Sequence, residues 1–327
     1  MSNESTTVTI NPTDNGWQYA TGEIPISMTN DFLFCTMLEK NNAVLKSLIC
    51  ALLHLPPEEL QTAEIRNPIS SGHTKEDKTI ILDVKVLLNQ NTILNLELQV
   101  MNEHNWPERS IYYLCRCFDN LEHGDNYVDV KPAIHISILG FTLFPKDPEF
   151  YATYYMMNEK THKLYSDKFR ISVLCLNQIE KATEEDKVHH IDYWAQLFKC
   201  KNWRELQMLA NSDDNIKEAV STVYQLTQDE RIRFECQQRE EALRRMNTDK
   251  ILATEAKEKL DKTTEKLLEK ETLLSKVEVQ LSETESQLSK TKAQLSEQNE
   301  QLQKQAALIH ELERKLQKQK DNASGSN

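Results

Sequence analysis

The sequence predicts an α/β domain, a mixed sheet flanked by helices, followed by a helical region and a long C-terminal coiled coil. Three observations predict it. Turn-making residues crowd the first half: all nine Pro lie at or before Pro148, and after Gly140 the only Gly is Gly325. Six Gly in 327 residues is far below the roughly 7% of ordinary usage, which excludes an all-β or loop-rich fold. Two runs that alternate in polarity, 79–88 and 92–100, read as a β-hairpin, whereas 229–320 contains neither Gly nor Pro.

Taken in order, residues 1–26 are polar and read as a flexible lead-in. Between Asp31 and Leu55 the apolar positions Phe34, Met37, Leu38, Val44, Leu45, Leu48, Ile49 and Leu52 approach a 3.6-residue period. This predicts two helices broken near Asn41-Asn42, capped by Asn30 or Thr29 and ended by Pro56-Pro57. The stretch 67–78 is a loop by composition. Asn105-Trp106-Pro107 opens a helix expected to reach about Glu122, with Gly124 as its left-handed cap. Residues 132–144 are apolar on both faces, as in a central strand covered on two sides. Strand-like runs follow at 150–157 and 168–176, and from about Val188 two or three helices. The expected divisions are the lead-in at 1–26, a sheet-containing core at 27–180, a helical extension at 181–240, a heptad coil at 241–320 and a disordered tail at 321–327.

Paired across the Asn89-Gln90-Asn91 connection, hairpin residue numbers sum to 180. Asp83 then faces Glu97, Lys85 faces Asn95 and Ile81 faces Gln99. Leu82, Val84, Val86 and Leu88 share one face with Leu94, Leu96, Leu98 and Val100. A one-residue slip would put charges into that apolar face. Opposed carboxylates repel unless something positive joins them. A divalent cation is one solution, because Mg²⁺ takes one or two protein carboxylates and completes its shell with water and phosphate oxygens. The other is a solvated polar face neutralised by Lys85, with no metal.

The charge is uneven. The chain has 39 Lys+Arg and 51 Asp+Glu, a net charge of −12. Residues 229–320 hold 19 of each sign, so 1–228 carries −11. That disfavours a strong non-specific nucleic-acid surface, which needs clustered Lys and Arg. The seven Cys show no zinc-like CxxC pair; together with the absence of a secretory signal or a membrane-length apolar run, they predict free thiols in the cytoplasm and no membrane association. His73, His104 and His135 are scattered and read as surface or packed side chains. There is no nucleophilic triad or Gly-rich phosphate loop.

The ordered series Thr29-Asn30-Asp31-x-x-Phe34, Ile81-Leu82-Asp83-Val84, Leu96-Glu97-Leu98-Gln99, Arg109-x-x-x-Tyr113 and Gly124-x-x-Tyr127 resembles the PD-(D/E)xK nuclease family transposases, also described as recombination-promoting nucleases. With Trp194 and the Glu230–Glu235 region, the resemblance covers roughly residues 27–240. It implies a restriction-endonuclease-like mixed sheet, DNA as substrate, Asp83 and Glu97 as ligands of Mg²⁺ (or Mn²⁺), and Asp83, Glu97 and Gln99 as the catalytic set. Gln99 stands where the superfamily motif has lysine. It can hydrogen-bond but cannot take a proton, so the metal must generate more of the nucleophile. Lys85, on the same face, is a candidate displaced positive charge. Arg109 and Tyr113 share a helix face; either they contact a phosphate, or the Arg is held by a core-edge carboxylate and the Tyr packs on the sheet. Asp31 is either a further acid near the metal or a first-turn residue favoured by the helix dipole.

In the tail, Leu260, Leu267, Leu274, Leu281, Leu288, Leu295, Leu302, Ile309 and Leu316 fall seven apart. Gln-Leu-Ser recurs at 280–282, 287–289 and 294–296, a true internal repeat. A helix over 229–320 would be about 140 Å long. With the Leu column at a, the d column reads Ala256, Thr263, Lys270, Val277, Thr284, Thr291, Gln298, Gln305 and Leu312, a narrow seam. The pattern predicts a parallel homo-oligomer, most simply a dimer; the alternative is a lone, partly frayed charged helix. Two functions follow: an Mg²⁺-dependent DNA endonuclease, or a degenerate nuclease-fold domain carried as a coiled-coil scaffold.

Overall fold

A computed structural model describes residues 15–67 and 83–324. The chain divides into two compact units, Met1–Met246 and Asn247–Asn327. In the first, the two N-terminal helices are α1 (Asp31–Lys40) and α2 (Asn42–Leu53). Each begins at an Asn whose side chain accepts two backbone N–H groups: Asn30 from Phe32 and Leu33, Asn41 from Ala43 and Val44. Such caps satisfy donors that the helix cannot satisfy internally.

Six strands follow: β1 (Ala63–Ile65), β2 (Asp83–Leu88), β3 (Thr92–Gln99), β4 (Ala133–Leu139), β5 (Tyr151–Tyr155) and β6 (Phe169–Cys175), with α3 (Trp106–Phe118) between β3 and β4. They form one sheet in the order β1-β2-β3-β4-β6-β5. The three central strands β3, β4 and β6 run parallel, and β2, β1 and β5 add antiparallel edges. The β2–β3 hairpin turns through Asn89 and Gln90, both at positive φ, with Asn91 N–H donating to Leu88 C=O; two positive φ values match the right-handed twist of the strands.

Four helices close the unit: α4 (Glu184–Val188), α5 (Ile191–Lys199), α6 (Trp203–Ala210) and α7 (Asp214–Gln228). Val84, Val86, Leu94, Leu96, Ile136, Ile138 and Leu174 face α1, α2 and α5–α7 in one continuous core. The helical extension therefore shares the sheet's core. The last helix, α8, spans Glu230–Ser324; its heptad residues Leu260 to Leu316 are each between 55% and 65% exposed. Among the described residues no helix is long and apolar enough to cross a membrane.

Several expectations need correction. Part of the expected flexible lead-in is anchored: Trp17 and Ile26 are buried, and Gln207 Nε2 donates to the carbonyls of Trp17, Gln18 and Ala20. Helix α3 stops at Phe118, short of Glu122, because Asn120 takes over the chain. Its side chain donates to the Cys117, Phe118 and Lys131 carbonyls and accepts from Lys131 N–H. Gly124, at φ 99, serves the loop beyond. Helix α8 continues through 321–324, expected as disordered. The loop at 67–78 and the first residues of the hairpin lie largely within 68–82, outside the described residues.

Candidate active site

Period-2 alternation aims Asp83, Lys85, Asn95, Glu97 and Gln99 at the face opposite the main core. Asp83 is directly opposed to Glu97, and Lys85 to Asn95. On β4, His135 stands beside Asn95 and Ser137 beside Glu97. While Asp83, Lys85 and Gln99 stay partly exposed, the centre of this face is covered, not solvated as one reading of the hairpin supposed. Helix α3 lies over it, leaving Glu97 1% exposed and His135 fully buried. A small apolar cluster around Trp106, Leu139 and Val173 flanks the polar band, and another is built on Leu114, Cys117 and Ala133.

Arg109 projects from α3 into the band. Its Nη2 donates to Glu97 Oε1 at 2.6 Å and its Nη1 to Glu103 Oε2 at 3.3 Å. The guanidinium lies 5.4 Å from the Trp106 ring centre and 5.8 Å from that of Tyr113. Tyr113 in turn stacks on His135 at 6.1 Å and 10°, and Trp106 Nε1 donates to Ser137 Oγ at 3.1 Å. A planar cation between aromatic faces has little freedom to leave its carboxylate. Arg109 therefore fixes one oxygen of Glu97.

The other oxygen is unsatisfied. Glu97 Oε2, Arg109 Nε and His135 Nε2 are all buried without a hydrogen-bond partner, a condition that carries a desolvation penalty. Burial pushes the Glu97 carboxyl up to about 7, against the opposing pull of Arg109, and burial likewise raises Asp83. Burial, then Arg109, pushes His135 down to about 3, so its ring is neutral. The Asn95 side-chain amide lies 3.1 Å from His135 Nδ1, tying the ring to β3.

Among the described residues no group of three or more His, Cys, Asp or Glu is gathered as a metal site. The donor chemistry here is two opposed carboxylates with one buried oxygen free. That fits Mg²⁺ or Mn²⁺, which draw most of their shell from water and substrate.

The other expected residues sit differently. Asp31 Oδ2 is held by Arg239 through Nε and Nη2, each at 2.7 Å, and so joins α1 to the start of α8. Gln99 donates its Nε2 to Met101 C=O at 2.9 Å. Lys85 has no carboxylate partner among the described residues, and opposes the rise in Asp83. Sequence reasoning placed Asn95 on the acid face but missed Trp106, His135, Ser137 and Arg116 as members of this neighbourhood. One signal was available: His135 and Ser137, two apart in an otherwise apolar strand, mark a polar face.

A mixed parallel–antiparallel sheet flanked by helices is consistent with the PD-(D/E)XK nuclease fold. The sequence model of the PD-(D/E)XK nuclease family transposases matches residues 28–255, and the chain belongs to that family. No curated protein and no solved structure matches it.

Proposed function

We propose that this chain is a Mg²⁺- or Mn²⁺-dependent endonuclease that hydrolyses DNA phosphodiester bonds. The observation that carries the reading is the opposed Asp83–Glu97 pair with Glu97 Oε2 buried and unpartnered. These two carboxylates would hold the cation, which when bound supplies Lewis-acid activation of water and charge stabilisation at the phosphoryl oxygens. Arg109 holds Glu97 by its other oxygen. His135, neutral, supports Tyr113 without adding a charge. Gln99 has no proton to exchange in the working pH range and acts only through hydrogen bonds. Relaxation of supercoiled plasmid is the test: it should require Mg²⁺ or Mn²⁺, stop in chelator, and be lost in Asp83→Ala and Glu97→Ala. Metal-dependent relaxation surviving both substitutions would refute the assignment.

A second reading, a degenerate nuclease domain carried as a scaffold, is favoured by the −11 charge of residues 1–228. The tail bears on both readings. An isolated helix of this length draws little stability from propensity alone, and its Leu column is exposed along the whole repeat. We infer a parallel homodimer through this column. Sedimentation should give two chains for the full-length protein and one for Leu281→Lys/Leu288→Lys; equal masses would refute it. None of the seven cysteines, all among the described residues, is in a disulfide, which suits a reducing cytoplasm.

A further inference from the structure

A DNA strand approaching Asp83 and Glu97 meets two carboxylates in a domain that is already acidic. Something on the near surface must counter that repulsion, and Arg109 is committed to Glu97 and Glu103. Two other cations stand by. Lys85 lies on the same face of β2 as Asp83, two residues on and opposite Asn95. Arg116 lies on α3, seven residues beyond Arg109, two helical turns along the same side. Its guanidinium is 5.9 Å from the ring of Tyr112, which meets Tyr113 edge-on at 5.7 Å. A run of ring contacts thus leads from Arg116 through Tyr112 and Tyr113 to Arg109 and Glu97. Arg116 and Tyr112 are exposed and Lys85 is half-buried. Neither cation has a carboxylate partner among the described residues, although acidic side chains outnumber basic ones by 31 to 20 in residues 1–228.

We propose that Lys85 and Arg116, the latter backed by the Tyr112 ring, form a phosphate-binding rim that holds the DNA backbone beside the acid pair. The proposal rests on the nuclease reading and specifies how its substrate is held. Arg116 suits the task because a guanidinium presents parallel donors to phosphate oxygens, and a ring behind it limits the orientations it must give up on binding. Lys85 contributes a point charge. The rim answers the objection raised by net charge: affinity comes from two local cations that have no carboxylate partner among the described residues and are available to the nucleic acid.

The test is fluorescence anisotropy of the full-length protein with a labelled random-sequence DNA duplex, titrated with KCl both in chelator and in Mg²⁺. Each lost phosphate contact flattens the slope of log K against log salt by about 0.9. Arg116→Ala and Lys85→Ala should each flatten it by that amount, the double substitution by about twice as much, and Arg116→Lys should restore it. Thermal unfolding should be unchanged in all of them, since both side chains reach solvent. An unaltered slope in the double variant, or no binding by the unsubstituted chain in either buffer, would overturn the rim. The nuclease reading is judged separately by plasmid relaxation: cleavage with unaltered slopes removes the rim alone, and flattened slopes without cleavage remove the nuclease reading alone.

Discussion

On one side of the sheet, Val84, Leu96, Ile136 and Leu174 merge with α1, α2 and α5–α7 into a single apolar core. On the other, one residue along the same strands, Asp83, Glu97, His135 and Ser137 form a polar band under α3, with apolar clusters only at its flanks. The first face is mostly apolar and gains chiefly from burial; its polar residues lie toward the β5–β6 edge, where buried Ser172 bonds Thr153. The second buries a carboxylate, an imidazole and a guanidinium, and leaves one atom of each without a partner. The contrast teaches where this fold spends stability. Apolar packing on one face supports unsatisfied polar groups on the other, and such groups concentrate where chemistry is done.

The largest expected effect lies on the apolar face. Ile136→Ala should destabilise the chain by about 2–5 kcal/mol in urea titration; a loss below about 1 kcal/mol would mean that this face is not the principal core. The next effect belongs to the polar face and appears in the pH dependence of stability. Glu97 has its folded pKa raised from 4.5 to about 7. The folded chain keeps this proton longer, so stability present below pH 4.5 is lost as pH rises through 7, by at most about 3 kcal/mol. His135 is lowered from 6.5 to about 3. The unfolded chain takes that proton first, so stability is lost as pH falls from 6.5 through 3. Between pH 4.5 and 6.5 the two slopes oppose, so in unfolding experiments without divalent cation stability should vary only weakly there and fall off on both sides, with the raised Asp83 adding to the loss as pH rises. Glu97→Gln should reduce the alkaline fall, and Mg²⁺ should raise the melting temperature more at pH 7.5 than at pH 5.5. An alkaline fall undiminished in Glu97→Gln would contradict the assignment of the buried proton.

Much of this contrast could be read from the chain. Alternation across Asp83–Leu88 and Thr92–Gln99 sets the hairpin register, because a slip would bury charge. Asn30 and Asn41 announce the starts of α1 and α2 through their capping chemistry. What was not legible depended on distant partners. The hairpin's polar face could be taken as solvated because nothing local says that α3 will cover it. Asp31 could be taken as a metal-side acid because its partner, Arg239, is 208 residues away. Gly124 invited a longer α3 because the competing side chain, Asn120, makes part of its network with Lys131. His135 was legible only as a packed histidine; its place beside Glu97 follows from the parallel pairing of β3 with β4, and crossover pairings leave no local mark.

The central claim is that Asp83 and Glu97 jointly hold a divalent cation. Mn²⁺ binding, followed by loss of the free-ion EPR signal, tests it most directly. The unsubstituted chain should bind Mn²⁺ in competition with Mg²⁺. Asp83→Asn and Glu97→Gln should each weaken binding by about 100-fold or more, at or beyond the upper end of what loss of a supporting residue does. Binding that is unchanged in both variants would contradict the claim.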